Sequence, residues 1–587
     1  MSTVSSNITA SVSQLIEETV LAQTRASRPD QSAWVSANAG SGKTHVLKMR
    51  VQRLLLEGVD PSRILCLTFT KAAAAVMSQR VFADLADWAI LDDDALHNRL
   101  LALTGRAPNA DDLANARRLF ANAIETPGGL KVQTIHAFCQ DILQRFPLEA
   151  GLTPGFETID DITKAQLMQA AIDGMLIAAT DGSRADLSRA LGKTIAYAVD
   201  DQFAEVLDQV LRRRAWLDLM TSLAAAMPDQ KAIELYYRAA FHIDAHATEE
   251  TLTDDIARLL GANVLTDTAS LLDGGSKADV GRADQLRAIA KAESAQAKAD
   301  LIISFLLTSG DRQPRKTFMT KKIATEYPSQ NEQLHEAARR AADLASKRDA
   351  LATISATQAL ATLTTDVAQR YRDAKADAAR LDFDDLIHET SALLATPDQA
   401  QWVLYKLDGG IDHILLDEAQ DTSRLQWSIA RQLAGEFFSQ DDDRALPRSV
   451  FAVGDEKQSI YSFQGAEPAL FAAAGSWFSG QAAASGRSFA SVPLTLSFRT
   501  VAPVLEAVDA VFADPARTPG LTQDARAIAH KVKRAGDGGH VEVWSVPEYQ
   551  PPGDVSPFQP LDDESGRRRF SRIRMSLGRT GRPRAAI

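Results

Sequence analysis

Residues 31–44 read Gln-Ser-Ala-Trp-Val-Ser-Ala-Asn-Ala-Gly-Ser-Gly-Lys-Thr and decide the fold class of this chain. The apolar run over 31–36 predicts a short β-strand that leads into a glycine-rich loop. Beyond the loop, apolar side chains recur at helical spacing from Val46 to Leu54, which predicts an α-helix over 43–57. A strand, a glycine-rich loop and a helix in this order predict a phosphate-binding loop at 37–44, although Ala37 replaces the usual first glycine.

The residue types of this loop suit the chemistry of a nucleoside triphosphate. Glycines let backbone N–H groups face phosphate oxygens without an obstructing Cβ, and the start of the helix adds its positive dipole end. Lys43 would reach the β- and γ-phosphates, and the Thr44 hydroxyl would bind Mg²⁺. The alternative is a glycine turn that binds nothing. The predicted nucleotide-binding residues of the loop are Ala39, Gly40, Ser41, Gly42, Lys43 and Thr44.

An acidic pair lies far along the chain, in the segment Asp417-Glu418-Ala419-Gln420-Asp421. It follows the apolar run Ile-Leu-Leu, which predicts the carboxyl end of a β-strand. At that position Asp417 can bind Mg²⁺, and Glu418 can orient and deprotonate an attacking water molecule. An isolated Asp-Glu pair is more often a solvated turn, but the preceding strand and the phosphate loop favour the catalytic interpretation.

The distribution of apolar residues predicts a parallel α/β sheet with a large helical insertion. Short apolar runs at 64–69, 410–418 and 450–454 predict further strands, and the first of them is followed by an alanine-rich helix. The stretch from about 155 to 380 is rich in alanine, leucine, aspartate and arginine, which predicts long helices. Residues 329–396 contain no glycine or proline, which is typical of an uninterrupted helical segment.

A chain of 587 residues is too long for one hydrophobic core, and we expect two to four domains. The small-residue segment 474–490 predicts a connector to a second lobe, with a helix over 501–512 and a strand over 540–546. The tail has prolines, then acids, then eight arginines, and it predicts disorder. The expected segments are the ATP-binding part of a first lobe (1–155), an inserted helical domain (156–380), the rest of the first lobe (381–475), a partial second lobe (476–547) and a disordered basic tail (548–587).

Composition is that of a soluble globular protein, with 45% hydrophobic and 24% charged residues. The net charge of −12 says little about a local groove, so it does not exclude a nucleic-acid partner. Two cysteines, Cys66 and Cys139, are too few for a disulfide framework or a zinc site and fit a reducing cytoplasm. Residues 1–26 lack the features of a signal peptide, and we expect no membrane-spanning segment.

Beside the phosphate loop and the acidic pair, four further segments occur in the order typical of one enzyme family. Together they resemble the motifs of superfamily 1 helicases of the UvrD/Rep type. The wording of 34–40 and 454–458 is most similar to the AddA branch, which forms part of the AddAB helicase–nuclease, with the RecB branch as the close alternative. The four segments are Thr68-Phe69-Thr70-Lys71-Ala72-Ala73, Thr134-Ile135-His136-Ala137-Phe138, Val453-Gly454-Asp455-Glu456-Lys457-Gln458-Ser459-Ile460-Tyr461 and Leu496-Ser497-Phe498-Arg499-Thr500.

The resemblance implies a role for each matching residue. In the nucleotide site, Gln23 would read the adenine, Phe498 would stack on it, Gln458 would sense the γ-phosphate, and Arg499 would be an arginine finger. Phe69, Tyr461 and Phe463 would stack on the bases of single-stranded DNA, and Thr70, Thr134 and His136 would contact its backbone. For each aromatic residue the alternative is core packing, and for His136 it is a structural hydrogen bond.

The same resemblance implies an ATP- and Mg²⁺-dependent 3′–5′ DNA helicase of double-strand-break repair. Its partners would be single-stranded DNA, duplex ends and an AddB-like nuclease subunit in a heterodimer, and it would act at the nucleoid in the cytoplasm. We find no motif V, no motif VI and no nuclease acids in the chain, and we therefore expect a truncated, frameshifted or fragmentary product. The alternative is an ATP- and DNA-binding module without motor activity. A P-loop kinase or GTPase would not explain the other helicase-like segments.

Overall fold

A computed structural model describes residues 2–198, 201–227, 231–396, 402–403, 406, 410–438, 446–462, 465–521 and 528–544. The chain forms two compact units. One unit contains the N-terminal residues to Leu152 and resumes at Asp384, and the other extends from Thr153 to Phe383. Each unit has its own hydrophobic core clusters.

Strands and helices are numbered in chain order within the described residues. The strands are β1 (Ser32–Ala37), β2 (Ile64–Thr68), β3 (Lys131–Thr134), β4 (Glu157–Thr158), β5 (Arg380–Leu381), β6 (His413–Leu416), β7 (Ser449–Gly454), β8 (Phe489–Leu494), β9 (Leu496–Val501) and β10 (Lys531–Arg534). The helices are α1 (Ser2–Ala26), α2 (Lys43–Leu56), α3 (Lys71–Ile90), α4 (Asp93–Thr104), α5 (Ala110–Glu125), α6 (Ile135–Arg145), α7 (Asp161–Thr180), α8 (Ala185–Ile195), α9 (Asp201–Leu211), α10 (Arg214–Ala226), α11 (Lys231–Ala240), α12 (Glu249–Arg258), α13 (Ala262–Asp273), α14 (Lys277–Lys291), α15 (Ala295–Leu306), α16 (Lys321–Glu326), α17 (Pro328–Asp377), α18 (Phe383–Ala395), α19 (Arg424–Leu433), α20 (Pro468–Ala484) and α21 (Ala502–Val511).

A six-stranded sheet in the order β3-β2-β6-β7-β1-β8 forms the centre of the first unit, and all of its strand pairs are parallel. The four inner strands are almost wholly buried, because helices cover both faces of a parallel sheet. This burial explains why those strands read as continuous apolar runs in the sequence. Trp34 on β1 packs against Trp427 and Phe471, with ring centroids 5.5 and 4.9 Å apart.

Parallel pairing determines where the functional residues lie. All six strands present their carboxyl ends at the same edge of the sheet, and the loops that follow them therefore lie side by side. The phosphate loop follows β1, the acidic pair follows β6, and Gln458 lies shortly after β7. A 3₁₀ turn over Ala419–Asp421 and another over Glu456–Gln458 continue two of these strands.

The second unit is built around α17, a single helix of 50 residues. Different parts of this helix contribute buried residues to three separate hydrophobic clusters, including Leu334, Leu363 and Ala361. The short strands β4 and β5 pair in parallel near the two ends of the unit, with Glu157 opposite Arg380. A buried ion pair joins Lys375 to Asp382 at 2.9 Å, and Tyr371 donates a hydrogen bond to the same carboxylate.

Two details differ from the sequence-based expectation. The segment 474–490 is not a connector: α20 extends to Ala484, and β8 then joins the central sheet beside β1. Residues 540–544 form no strand, whereas β10, at Lys531–Arg534, pairs in parallel with β9. The predicted tail over 548–587 lies outside the described residues, and the five expected domain boundaries remain predictions. No helix in the described part of the chain combines the length and apolar content needed to cross a bilayer.

Candidate functional site

The loop between β1 and α2 has the backbone of an anion-binding site. Gly40 and Gly42 have φ angles of 73° and 96°, in the left-handed region that favours glycine. Gly42 precedes α2 without a side-chain cap, which leaves N–H groups in the first turn of a 14-residue helix free to bind a ligand. The Ser41 hydroxyl and backbone N–H both donate to the carbonyl of Asn38, at 2.7 and 3.1 Å, and these bonds hold the loop closed.

Strand β9 packs directly on this loop. The backbone N–H of Phe498 donates to the Gly40 carbonyl at 2.9 Å. A Cβ at position 40 would lie only 2.8 Å from both the Arg499 Cβ and the Ser497 Oγ, so the close approach requires glycine. Arg499 is exposed beside the loop, and Phe498 is half-buried with the Lys533 ammonium 5.4 Å from its ring centroid. The structure thus brings the two motif residues of β9 to the phosphate loop.

Gln23, near the end of α1, lies against the same loop. Its Nε2 donates to the carbonyl of Ser41 at 3.2 Å, and its side chain is buried. A Cβ at Gly42 would be 3.0 Å from that Nε2 atom. The predicted adenine-reading residue is therefore in contact with the loop itself, while its predicted contact with adenine remains a prediction.

A closed ring of five side chains joins three segments at the carboxyl edge of the sheet. The Lys43 ammonium lies 2.7 Å from Glu418 Oε2 and 3.2 Å from Gln458 Oε1. Gln420 donates to Glu418 at 2.9 Å and accepts the backbone N–H of Asp455 at 2.9 Å. Gln458 Nε2 donates to the Asp455 carboxylate at 2.6 Å and completes the ring. Every contact except that of the Asp455 N–H is made by side-chain atoms.

Asp417 is held at the end of β6 by its backbone, which donates to the carbonyl of Leu67 at 2.9 Å. Burial, with a smaller contribution from the neighbouring Glu418 carboxylate, raises the pKa of Asp417 to about 6. Glu418 has a φ of 47°, a left-handed conformation that costs a non-glycine residue about 1–3 kcal/mol. Strain of this kind persists where surrounding contacts fix the residue, and here Lys43 and Gln420 do so.

The donor set suits a magnesium-bound triphosphate. Glycines at 40 and 42 form a cradle that side chains would fill, and Lys43 supplies a positive charge at the helix start. Asp417 is a buried carboxylate with a raised pKa, so a cation beside it would stabilise its ionised form, and Thr44 lies in the first turn of α2. Carboxylate and hydroxyl oxygens are hard ligands of the kind that Mg²⁺ takes. Thr44 and Asp417 are therefore the residues that would hold the metal.

Two predicted DNA-stacking residues are in contact with each other. The rings of Phe69, after β2, and Tyr461, after β7, have centroids 4.3 Å apart, and both are half-buried. The neighbouring Ile460 is 70% exposed, which shows that this loop faces solvent. Phe463, the third predicted stacking residue, lies outside the described residues.

The predicted backbone contacts occupy helix starts. Thr70 caps α3 by accepting the N–H of Ala73, and the buried Thr134 caps α6 by accepting the N–H of Ala137. Burial lowers the pKa of His136, with a smaller opposing effect from Asp384, so the imidazole is held toward its neutral form. Capping explains both threonines structurally, and their DNA contacts, like that of His136, remain predictions.

Three residues of this site were not predicted from the sequence: Asn38, Gln420 and Lys457. Each of them lies inside a quoted motif, but only the fold shows that their side chains connect one motif to another. Lys457 contacts Asn38 of the phosphate loop at 3.0 Å, although the two are far apart in the chain.

Comparisons with known proteins agree with this site. A model of the UvrD/REP helicase N-terminal domain matches residues 19–478. An ATP-dependent helicase/nuclease subunit of the AddA type from Enterococcus faecalis is 28% identical over 477 residues, which cover 75% of this chain and 34% of the relative. Proteins of the same name from Lactiplantibacillus plantarum and Desulforudis audaxviator are 26% and 28% identical and cover 74% and 82% of this chain. The chain spans 35% and 38% of the lengths of these two relatives, or little more than a third.

Proposed function

The chain belongs to the UvrD/REP helicase family, and on that premise we propose that it couples Mg²⁺-dependent ATP hydrolysis to 3′–5′ movement along single-stranded DNA. The observation that carries this proposal is the side-chain ring that joins Lys43, Glu418 and Gln458. Tyr461, which stacks on Phe69, lies three residues after Gln458. The loop that contacts the phosphate-binding lysine therefore also contains a predicted DNA-stacking ring.

Each residue of the site has a proposed chemical role. Lys43 leaves its carboxylate partner to neutralise the β- and γ-phosphates, which frees Glu418 to orient and deprotonate the attacking water. Gln458 stays beside the γ-phosphate position, and Arg499 neutralises charge that develops on the transferred phosphoryl group. A magnesium ion, held by Thr44 and Asp417, supplies further charge neutralisation at the phosphates.

The proposed architecture follows from the family. The sheet of the first unit would be a RecA-like lobe formed by about 1–155 and 381–475, with the helical residues 156–380 inserted into it. Residues 476–547 would begin a second lobe, which contributes Phe498 and Arg499 to the nucleotide. Opening and closing around ATP would then advance the Phe69 and Tyr461 rings along one strand.

The proposed biological setting is double-strand-break repair. The relatives are each named as one subunit of an ATP-dependent helicase/nuclease, which implies a second subunit in those proteins. We propose that the partner of this chain is an AddB-like nuclease subunit, and that its substrates are duplex ends and single-stranded DNA. The substrate places the protein at the nucleoid, in the cytoplasm.

A direct test is DNA-stimulated ATP hydrolysis by the purified chain. We expect hydrolysis that rises with single-stranded DNA and is abolished by Lys43→Ala. Lys322→Ala is the matched control, because Lys322 is an exposed lysine of the helical unit and its loss should change nothing. ATP binding that is unchanged by Lys43→Ala would contradict the proposed nucleotide site.

The second candidate is an ATP- and DNA-binding module without motor activity. The absence of sequence resembling motifs V and VI favours it for the polypeptide of 587 residues. A tailed duplex distinguishes the two candidates: strand separation with Mg²⁺ and ATP supports the motor, whereas nucleotide and DNA binding without separation supports the module.

A further inference from the structure

We infer that Lys457 is a positioning residue that couples nucleotide binding to DNA binding by fixing the loop after β7 to the phosphate loop. The inference rests on the proposed function and assigns a role to a residue that the family motifs left without one. The role is distinct from that of Gln458, because Lys457 would touch neither phosphate nor DNA.

The contacts of Lys457 connect two otherwise separate loops. Its ammonium lies 2.9 Å from Asp455 Oδ1, and it donates to Asn38 Oδ1 at 3.0 Å. Asn38 is itself anchored, since its backbone N–H donates to the carbonyl of Leu494 at 2.9 Å. Lys457 therefore ties the loop after β7 to the phosphate loop at the point where β8 leads into β9.

A positive charge is required at this position. Asp455 is 2% exposed, and within the described ranges Lys457 is the one cation that forms an ion pair with it. The other Asp455 oxygen accepts from Gln458 Nε2 at 2.6 Å. A buried carboxylate that loses its counter-ion must rearrange or take up a proton, and either change would release Gln458.

The importance of Lys457 increases when nucleotide binds. Lys43 contacts Gln458 Oε1 in this structure, and a triphosphate would draw the Lys43 ammonium to its own oxygens. Gln458 would then be positioned only through Asp455, whose carboxylate Lys457 holds. Tyr461 belongs to the same loop, and its carbonyl accepts the N–H of Ala466 at 3.2 Å. A rigid loop transmits a displacement of Gln458 to the Tyr461 ring, whereas a loose one absorbs it.

The test measures this coupling by equilibrium binding and needs no turnover. The affinity for a fluorescent oligothymidine is measured without nucleotide and with saturating adenylyl imidodiphosphate and Mg²⁺, and the ratio of the two is the coupling factor. We expect at least a fivefold ratio in the unchanged chain, at the lower end of typical couplings. In Lys457→Met we expect the ratio to fall below about twofold, while the affinity for each ligand alone changes by less than about threefold.

Controls separate positioning from general damage. Lys457→Arg retains the cation and should restore most of the coupling, and Lys322→Met should behave like the unchanged chain. Three results would overturn the inference: a ratio near one in the unchanged chain, an unaltered ratio in Lys457→Met, or equal loss of both single-ligand affinities with a lower melting temperature. A unit ratio alongside Lys43-dependent ATP binding would leave the proposed nucleotide site intact, whereas ATP binding independent of Lys43 would refute that site.

Discussion

At the scale of single residues, Asp417 makes the site sensitive to pH. Its pKa is raised to about 6 by burial and by Glu418, and only the ionised carboxylate can bind Mg²⁺. At pH 5.5 about a quarter of the groups would be ionised, so the affinity for Mg²⁺–nucleotide should be about fourfold weaker than at pH 7.5. Titration of a fluorescent nucleotide with Mg²⁺ across this range measures the effect.

Asp417→Asn is the control for that experiment. The amide cannot titrate, so any pH dependence that persists in this variant belongs to the nucleotide. The unfolded chain has the ordinary, lower aspartate pKa, so above pH 6 the folded state bears the cost of a buried charge, which disappears as the pH falls toward 4. The variant should therefore be more stable than the unchanged chain at pH 7.5, by on the order of 1 kcal/mol, and less so at pH 4.5. An unchanged stability difference between these pH values would contradict the raised pKa.

At the scale of elements, the packing of β9 on the phosphate loop depends on a single missing Cβ. Gly40→Ala would place that atom 2.8 Å from Arg499 Cβ, in addition to the strain of a φ of 73°. Gly58→Ala is a matched control, since Gly58 has a φ of 82° but nothing within 4 Å of its added Cβ. We expect Gly58→Ala to lower the free energy of unfolding by about 1 kcal/mol and to leave nucleotide affinity unchanged. Gly40→Ala should cost more in urea denaturation and weaken nucleotide binding at least tenfold; equal effects of the two would show that packing contributes nothing.

The contact between the loops after β2 and β7 makes a separate prediction. Tyr461→Ala removes one ring of the pair whose centroids are 4.3 Å apart, and it should weaken single-stranded DNA binding by about 1–3 kcal/mol. Tyr461→Phe keeps the ring and should bind nearly as well as the unchanged chain. Fluorescence anisotropy with oligothymidine measures both. If Tyr461→Ala instead lowers the melting temperature and leaves DNA affinity unchanged, the pair is core packing.

The elements that the sequence predicted and those it did not differ in their place in the sheet. The inner strands β1, β2, β6 and β7 are buried on both faces, so each appears as an apolar run and was predicted. Both edge strands were missed. The exposed positions of β8 alternate with buried ones and include Pro493, which an edge strand tolerates because it need not donate a ladder hydrogen bond there. Only pairing with β1, distant in sequence, makes that segment a strand.

The same distinction holds for the site. Lys43, Asp417, Glu418 and Gln458 were predicted because motif spacing records the chemistry of each, and the fold brings Lys43, Glu418 and Gln458 into contact. Asn38, Gln420 and Lys457 carry no chemistry alone. Their role as connectors depends on which loops are neighbours, and that follows from the strand order, which local sequence patterns do not encode.

At the scale of the whole molecule, each compact unit can be treated as a folding unit. The core cluster of the first unit draws only on residues 26–123 and 415–494, and those of the second only on residues between 171 and 371. Within the second unit, the pairing of β4 with β5 places Glu157 opposite Arg380, so the chain enters and leaves that unit through adjacent strands. Removing such a segment leaves the ends close enough to be rejoined.

Replacing residues 153–383 with a Gly/Ser linker should therefore preserve the nucleotide site. Residues 153 and 384 each lie a few positions beyond the paired strands, and a linker of about ten residues can span up to ~33 Å. We expect the shortened chain to bind ATP within about threefold of the full chain, still dependent on Lys43, because a difference of ~0.7 kcal/mol is smaller than the cost of losing a core contact. Isolated 153–383 should unfold cooperatively with a helical circular dichroism spectrum. A shortened chain that binds no nucleotide, or an isolated segment without cooperative unfolding, would show that the two units fold as one.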